Sequence, residues 1–429
     1  MILRSLRRRS RHAANLAPTV EQVLCRLIFR KPPSCLQYAG PMNGPSDLQK
    51  LIAACELGTA ATPSFYVPRQ PSVTSQIEIA LQPSQSSRVL LMGQNGVGKS
   101  TELHTLTTQI QLSRPYLVIA ASLDVGLDLR LFGWHEMLIY SACQFVSTIP
   151  PGRQPVSQFN KLLHKFGVSS FQVLLDKMRH EPAAVHAQVS ESRAMLWDQA
   201  CGLIRFLEGI HRNPALLIWD GLEKLSRSET QKLFEEEGRY LDELPCRAVI
   251  TAPMRMSFEP YFTEVADRFL GNVVRLRAMS HERIAQIAFL RGLTPNLLHI
   301  IADGLAHANN AQPPRHYETL MNRLIDASAG LPRQLLQLTA AAAKQALNMR
   351  EGLLLPEHVT LAIRRASETL RYQLEPGDFL ELRKPDSKRS NEARARLLDL
   401  RALVEYEEPE ARFRVEVNPL LTEMLATGR

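Results

Sequence analysis

Gly93-Gln94-Asn95-Gly96-Val97-Gly98-Lys99-Ser100 satisfies the pattern G-x-x-x-x-G-K-[ST] in full. Residues of these types at this spacing suit one chemistry, the holding of a chain of phosphates. Three glycines let the backbone curl so that its N–H groups point inward at an anion. A helix starting at the end of the loop adds the partial positive charge of its N-terminus. Lys99 reaches the outer phosphates, the Ser100 hydroxyl is a ligand for Mg²⁺, and Thr101 opens the helix beside them. The ligands implied are the phosphates of a nucleotide and Mg²⁺.

A second acidic motif fits the first. Leu216-Leu217-Ile218-Trp219-Asp220 is an apolar run closing on a carboxylate, followed by Gly221-Leu222-Glu223. A strand ending in Asp carries that acid to the C-terminal edge of a parallel sheet, beside the phosphate loop. Asp220 then contacts Mg²⁺, mostly through its waters. Glu223 either orients the attacking water or caps the helix starting near Ser228.

These residues need a scaffold, and the pattern around them supplies one. Arg88–Met92 reads as a buried strand feeding the glycine loop. Tyr116–Ala121, Ala215–Trp219, Ala248–Thr251 and Asn272–Leu276 are further short strands. Helical patterns lie between them at Trp134–Val146, Ser170–Arg179, Ser190–Arg212 and Ser228–Leu244. The alternation implies an α/β fold with a parallel sheet covered on both faces. Tyr66-Val67-Pro68, ahead of the first strand, is a candidate contact for the nucleotide base. After Met279 the pattern turns helical, with helices at Ser280–Gly292, Pro295–Ala308, Glu318–Ala329, Gln334–Asn348 and Pro356–Gln373. The last stretch reads as helix (Asn391–Leu400), strand (Ala402–Glu407), strand (Arg412–Val417) and helix (Pro419–Leu425), with Val404/Tyr406 and Phe413/Val415/Val417 alternating as in a half-buried hairpin. That order suggests a winged helix. The expected division is therefore a basic N-terminal region (1–60), the nucleotide domain (61–278), a helical subdomain (279–375) and a winged-helix-like module (376–429).

Composition narrows the partners. The formal net charge is +8, but residues 1–31 hold eight Lys/Arg against Glu21 alone. The rest of the chain is close to neutral, so the sequence pI near 9.3 does not by itself mark a nucleic-acid protein. The basic start is a disordered leader, an arm for an anionic partner or a transit peptide; no apolar stretch follows its arginines as a secretory signal requires. No apolar run approaches the roughly eighteen residues of a membrane span. The six cysteines are scattered, with no C-x-x-C pair, which argues against zinc and against a disulfide scaffold and makes a reducing cytoplasm the natural compartment.

Taken together, the layout resembles the AAA+ ATPases, over about residues 60–429, and within them the clade of origin-recognition and archaeal initiator ATPases and the STAND signalling ATPases. The D-G-L-E form of the acidic motif is similar to that branch. Ala329-Gly330-Leu331-Pro332-Arg333 resembles the family's second-sensor motif, G-x-P-R, at the start of a lid helix. The resemblance implies that Arg333 touches the γ-phosphate and couples the lid to the nucleotide. It implies that Thr251 is the first-sensor residue positioning water, and that Arg268 acts on a neighbouring subunit's nucleotide as an arginine finger, with Arg239 a rival. The long helical stretch from Asp124 to Pro214 departs from the common core and is a candidate partner-binding insertion.

Two functional classes follow from the resemblance. One is an ATP-driven switch acting on DNA through the C-terminal module, where Arg394, Arg396 and Arg401 offer phosphate contacts. Glu405, Glu407, Glu408, Glu410 and Glu416 on the same hairpin oppose that use. The other is a signalling or scaffold ATPase that presents a surface to a protein partner, with slow turnover. Self-association is implied in both. A kinase-like transferase leaves the lid arginine unexplained, and a GTPase lacks the N-K-x-D base-reading motif.

Overall fold

A computed structural model describes residues 47–56, 66–82, 84, 87–113, 116–150, 152, 154–291, 293, 315–349, 354–407 and 413–427. The basic start, the expected helix Pro295–Ala308, and Glu408 and Glu410 lie outside the described residues. In chain order the elements are α1 (Asp47–Ala54), α2 (Val73–Ala80), β1 (Arg88–Gly93), α3 (Lys99–Ser113) and β2 (Leu117–Ser122). After a single turn at Leu123–Gly126, five longer helices follow: α4 (Trp134–Ser147), α5 (Asn160–Lys165), α6 (Phe171–His180), α7 (Pro182–Glu191) and α8 (Arg193–His211). Then come β3 (Ala215–Asp220), β4 (Arg247–Ala252), α9 (Phe262–Arg268) and β5 (Val273–Leu276). The remainder is α10 (His281–Leu290), α11 (Arg315–Ala327), α12 (Pro332–Asn348), α13 (Pro356–Tyr372), α14 (Pro376–Leu382), α15 (Asn391–Asp399), β6 (Leu403–Glu407), β7 (Phe413–Val417) and α16 (Pro419–Thr427).

The first five strands form one parallel sheet in the order β2-β3-β4-β1-β5. Every residue of β1 is buried, as a strand with both faces covered must be. Side chains alternate between two cores. Val89 and Leu91 face one way with Leu216, Ile218 and Val249, against Ile77 of α2 and Leu103, Leu106 and Ile110 of α3. Leu90 and Met92 face the other way with Leu217, Trp219 and Ile250, against Met137 and Leu138 of α4, Leu174 of α6 and Leu203 and Leu207 of α8. The helical stretch between β2 and β3 is thus the layer that closes one face of the sheet. Trp134 and Trp219 stack there with ring centroids 5.7 Å apart, and their indole N–H groups donate to Leu233 O and Ser141 Oγ, both at 2.7 Å.

A third core joins α1 to the C-terminal half. Leu48 and Leu51 pack with Leu335 and Leu338 of α12, Val359 of α13, Leu397 of α15, Leu403 of β6 and Leu421 of α16. Helices α10–α13 and the C-terminal module therefore share one continuous apolar core. β6 and β7 pair antiparallel, Leu403 opposite Val417.

Three local expectations differ from the structure. Ser190–Arg212 is two helices broken at Ser192, not one. Ser228–Leu244 is an irregular run of short turns, Arg227–Gln231, Lys232–Glu236 and Arg239–Asp242, with the poor helix former Gly238 in its middle. Helix α14 lay in a stretch without an expected element; Pro376 at its first turn and Asp378, accepting from Glu375 N at 2.8 Å, start it locally.

Candidate functional site

The phosphate loop leaves β1 and returns as α3. Gly96 and Gly98 have φ of +89° and +106°, values open to glycine and strained for other residues. A Cβ at Gly96 would also stand 3.0 Å from the Arg333 Cβ. The loop borders a cleft of about 540 Å³ at the C-terminal edge of the sheet, a volume suited to a small-molecule ligand. Gly96, Gly98, Lys99, Ser100 and Thr101 line it from the loop and the start of α3, Asp220 from the end of β3, Glu223 from the turn after it, and Arg333 from the start of α12.

The polar groups of this cleft are incompletely matched to one another. Lys99 is 4 % exposed and its amine donates to Gly93 O at 2.8 Å and Gln94 O at 3.2 Å. Burial lowers its pKa, with Glu223 and Asp220 acting in the opposite sense. Lys99 Nζ stands 3.8 Å from Glu223 Oε1. Glu223 Oε2 is buried and has no hydrogen-bond partner among the described residues, the situation that a ligand or ordered water would resolve. Asp220 accepts from Gly221 N at 2.9 Å and from the Ser100 hydroxyl. Burial raises the Asp220 carboxyl, and the nearby Glu223 charge raises it further. Ser100 and Asp220 together offer two oxygens, which suits a Mg²⁺ that takes its other ligands from phosphate and water.

Arg333 reaches the cleft because α12 starts there. Gly330, at φ +70°, turns the chain after α11, and its carbonyl accepts from Met279 N at 2.9 Å. Pro332 opens the helix, and the Arg333 backbone N–H donates to Gly96 O at 3.3 Å. Arg333 is thus tied to the phosphate loop through its backbone, and its side chain stands against Gly96.

The arrangement is a phosphate loop at the C-terminal edge of a parallel sheet, faced by an acid-bearing strand end and by the start of a helix. No family model matches the sequence, and no curated protein matches it. Among solved structures the chain is similar to Cdc6p from Pyrobaculum aerophilum, at 14 % identity and TM-score 0.44 over 88 % of this chain and 97 % of that one. It is also similar to the ORC1 protein of Aeropyrum pernix solved in complex with DNA, at 14 % identity and TM-score 0.43 over 88 % and 96 %. The RuvB Holliday junction branch migration motor of Thermotoga maritima is more distant, at 12 % identity and TM-score 0.36 over 84 % and 95 %. At these identities and scores the likeness concerns layout alone.

Several residues expected at the site are placed elsewhere. Gln94 is 4 % exposed but turns away from the cleft, donating to Leu398 O at 2.9 Å and Leu403 O at 2.7 Å and accepting from Glu405 N at 3.2 Å. Val97 is buried in the core beneath the loop, and Asn95 and Gly93 do not border the cleft. Thr251 is fully buried on β4, and its hydroxyl accepts from Leu222 N at 3.1 Å, so that it fixes the turn carrying Glu223. Arg268 pairs with Asp242 and Glu264 of its own chain, and Arg239 lies over the Tyr240 ring. Tyr66 donates to Glu102 Oε2 at 2.9 Å, and Val67 sits in the third core.

The three arginines of the C-terminal module are not arrayed for phosphate. Arg394 binds Asp386, and Arg396 binds Asp378 at 3.0 Å and Glu375 at 2.8 Å. Arg401, at φ +61°, is half-buried, and burial together with the Arg333 charge lowers its pKa. Glu405 points inward, 1 % exposed, and pairs with Arg277 at 2.6 Å. Glu416 remains exposed, beside Arg414.

Sequence reasoning missed three contributors. Buried Arg69 pairs with Glu102 at 3.1 Å and donates to Val97 O at 2.5 Å, bracing the loop from below. Asp124 and Lys224 pair at the cleft mouth, and Arg291 lines it from beyond α10. Asp124 just after an apolar strand was the one visible signal; Arg69 and Arg291 carry no local motif.

Proposed function

We propose that this chain is an ATP-binding and ATP-hydrolysing AAA+ molecular switch, whose nucleotide state controls assembly with a partner. The carrying observation is the buried, partnerless Oε2 of Glu223 beside Lys99, at the mouth of a complete phosphate loop. In this reading Lys99 exchanges its two backbone carbonyls for the outer phosphates. The loop N–H groups and the α3 N-terminus hold the phosphate charge. Mg²⁺, held by Ser100 and Asp220, would neutralise charge developing on the phosphate oxygens. Glu223 orients a water and accepts its proton as the water oxygen attacks the γ-phosphorus and ADP leaves. Arg333 couples a lid of residues 279–375 to the phosphate it contacts. Residues 376–429 serve as a winged-helix-like docking module. The internal pairing of Arg394 and Arg396 favours a protein partner over DNA for that module. Self-association belongs to the reading through Arg268, whose pairs with Asp242 and Glu264 open when it serves a neighbour.

The test is the melting temperature with and without Mg-ATP. A ligand at 100 times its Kd adds about 2.7 kcal/mol to the folded state. The wild-type chain is expected to show that upward shift and Lys99→Ala to lose it. No shift in the wild type at millimolar ATP removes the reading.

A further inference from the structure

The phosphate loop has a second side. Its first variable residue, Gln94, is bound wholly to the C-terminal module. A glutamine side chain has two donors and one acceptor group, and all are used: Nε2 donates to Leu398 O and Leu403 O, and Oε1 accepts from Glu405 N. The pairing leaves one orientation of the amide, since two carbonyls face one end and an N–H the other. These contacts use the edge of β6 that β7 does not cover. The same edge is held at a second point, where Ala278 N, just beyond β5, donates to Glu405 O at 2.8 Å. The Glu405 side chain completes the seam by its ion pair with Arg277, whose own carbonyl accepts from Arg69 at 2.7 Å. Arg69 in turn donates to Val97 O of the phosphate loop. Module and loop are therefore joined directly at Gln94 and indirectly, through Arg277 and Arg69, at Val97, by mostly buried polar groups that are costly to separate.

We propose that Gln94 is a positioning residue that couples nucleotide binding to docking of the C-terminal module, residues 391–427. The inference rests on the nucleotide reading of the cleft. Its physical basis is that one short backbone curl presents N–H groups to phosphate on one side and the Gln94 amide to β6 on the other. Ordering the curl for either ligand lowers the cost of ordering it for the other. By linkage the effect is reciprocal: the docked module tightens ATP binding by the factor by which ATP tightens docking. A partner that seizes the module's seam would then loosen nucleotide, and nucleotide would resist that partner.

The experiment uses the full chain and two readouts, the Kd for Mg-ATP and amide hydrogen exchange of residues 391–427. Gln94→Met keeps the length of the side chain and removes all three hydrogen bonds. It is expected to weaken ATP binding by a factor on the order of 5–150. It should also speed exchange at residues 398–405 and abolish the slowing that ATP causes there in the wild type. Glu405→Gln, on the module and away from the loop, should shift both readouts in the same directions by a smaller factor. Unchanged exchange across β3 and β4 in both variants shows that the sheet is intact. Wild-type ATP binding that leaves exchange of residues 391–427 unaltered, with an unchanged Kd in Gln94→Met, overturns the coupling and leaves the nucleotide reading standing. A wild type that binds no ATP overturns both, while faster exchange in Gln94→Met without nucleotide still identifies the latch.

Discussion

The cleft and the C-terminal module carry similar charged residues in opposite states. In the cleft, Lys99 turns onto backbone carbonyls and Glu223 Oε2 has no partner. In the module, Arg394, Arg396 and Glu405 are each paired with a charge of the same chain, so the contrast lies in ion pairing; Arg394 Nε and Glu381 Oε2 also lack a hydrogen-bond partner among the described residues. Burial alone does not separate the two regions, since Lys99 and Glu405 are both nearly inaccessible. The difference is whether the fold itself supplies the counter-group. A charge buried with its partner serves architecture, and one buried facing an open cleft without full pairing is poised for a ligand.

The largest expected effect that sharpens this contrast is on turnover. Glu223→Gln should keep ATP affinity and lower hydrolysis by about 10²–10⁴-fold, because the amide cannot take the proton of water. Phosphate release in single-turnover experiments reads it. Equal rates in variant and wild type would make Glu223 one more structural acid and dissolve the contrast.

Thr251→Val tests a residue on the border between the two classes. Among the described residues its hydroxyl meets the Leu222 N–H alone. Removing it leaves a buried donor unpaired and should cost about 1–3 kcal/mol in denaturant unfolding. Turnover should fall only as far as the turn bearing Glu223 moves. A loss of turnover at unchanged stability would instead give Thr251 the direct role that the family resemblance implies.

A smaller effect is expected from Arg396→Ala, since this arginine is partly exposed and Asp378 keeps its bond to Glu375 N. The variant should lose about 1 kcal/mol of stability. Any DNA retention by the full chain should keep its salt slope, because each phosphate contact contributes about 0.9 to that slope. A slope shallower by one contact, at unchanged stability, would break the contrast and give the module to DNA.

The smallest and most specific effect is a pH dependence. Burial, reinforced by Glu223, holds the Asp220 carboxyl above the ordinary aspartate range. A raised carboxyl pKa means that protons compete earlier on acidification. The Mg²⁺-dependent part of ATP binding should therefore begin to fall at a pH above that of an ordinary aspartate, and Asp220→Asn should lack this component. Calorimetric titration of Mg-ATP at a series of pH values, in wild type and variant, measures it.

The sequence by itself determined the elements on which local rules act. A curl of glycines ending in Lys99-Ser100, a strand closing on Asp220 and a Gly-x-Pro turn before Arg333 are each written within a few residues, because phosphate-loop geometry, strand burial and helix starts are local constraints. The five strands were legible for the same reason, as were α3, α4, α6 and α8 over them, while α2 was hidden among the prolines and serines ahead of β1, α14 was lost among charges and the irregular run at residues 227–242 was overread as one helix. What the tertiary structure decided is where each side chain spends its hydrogen bonds. Gln94 sits inside the motif yet turns to β6, Thr251 ends the expected strand yet serves the turn at Leu222, and of the three arginines offered to phosphate Arg394 and Arg396 are paired with carboxylates between residues 375 and 386 and Arg401 is half-buried. Nothing within ten residues of Gln94 announces Leu398, Leu403 or Glu405. Those partners lie some three hundred residues further along the chain, and only the folding of β6 against the end of β5 brings them within reach.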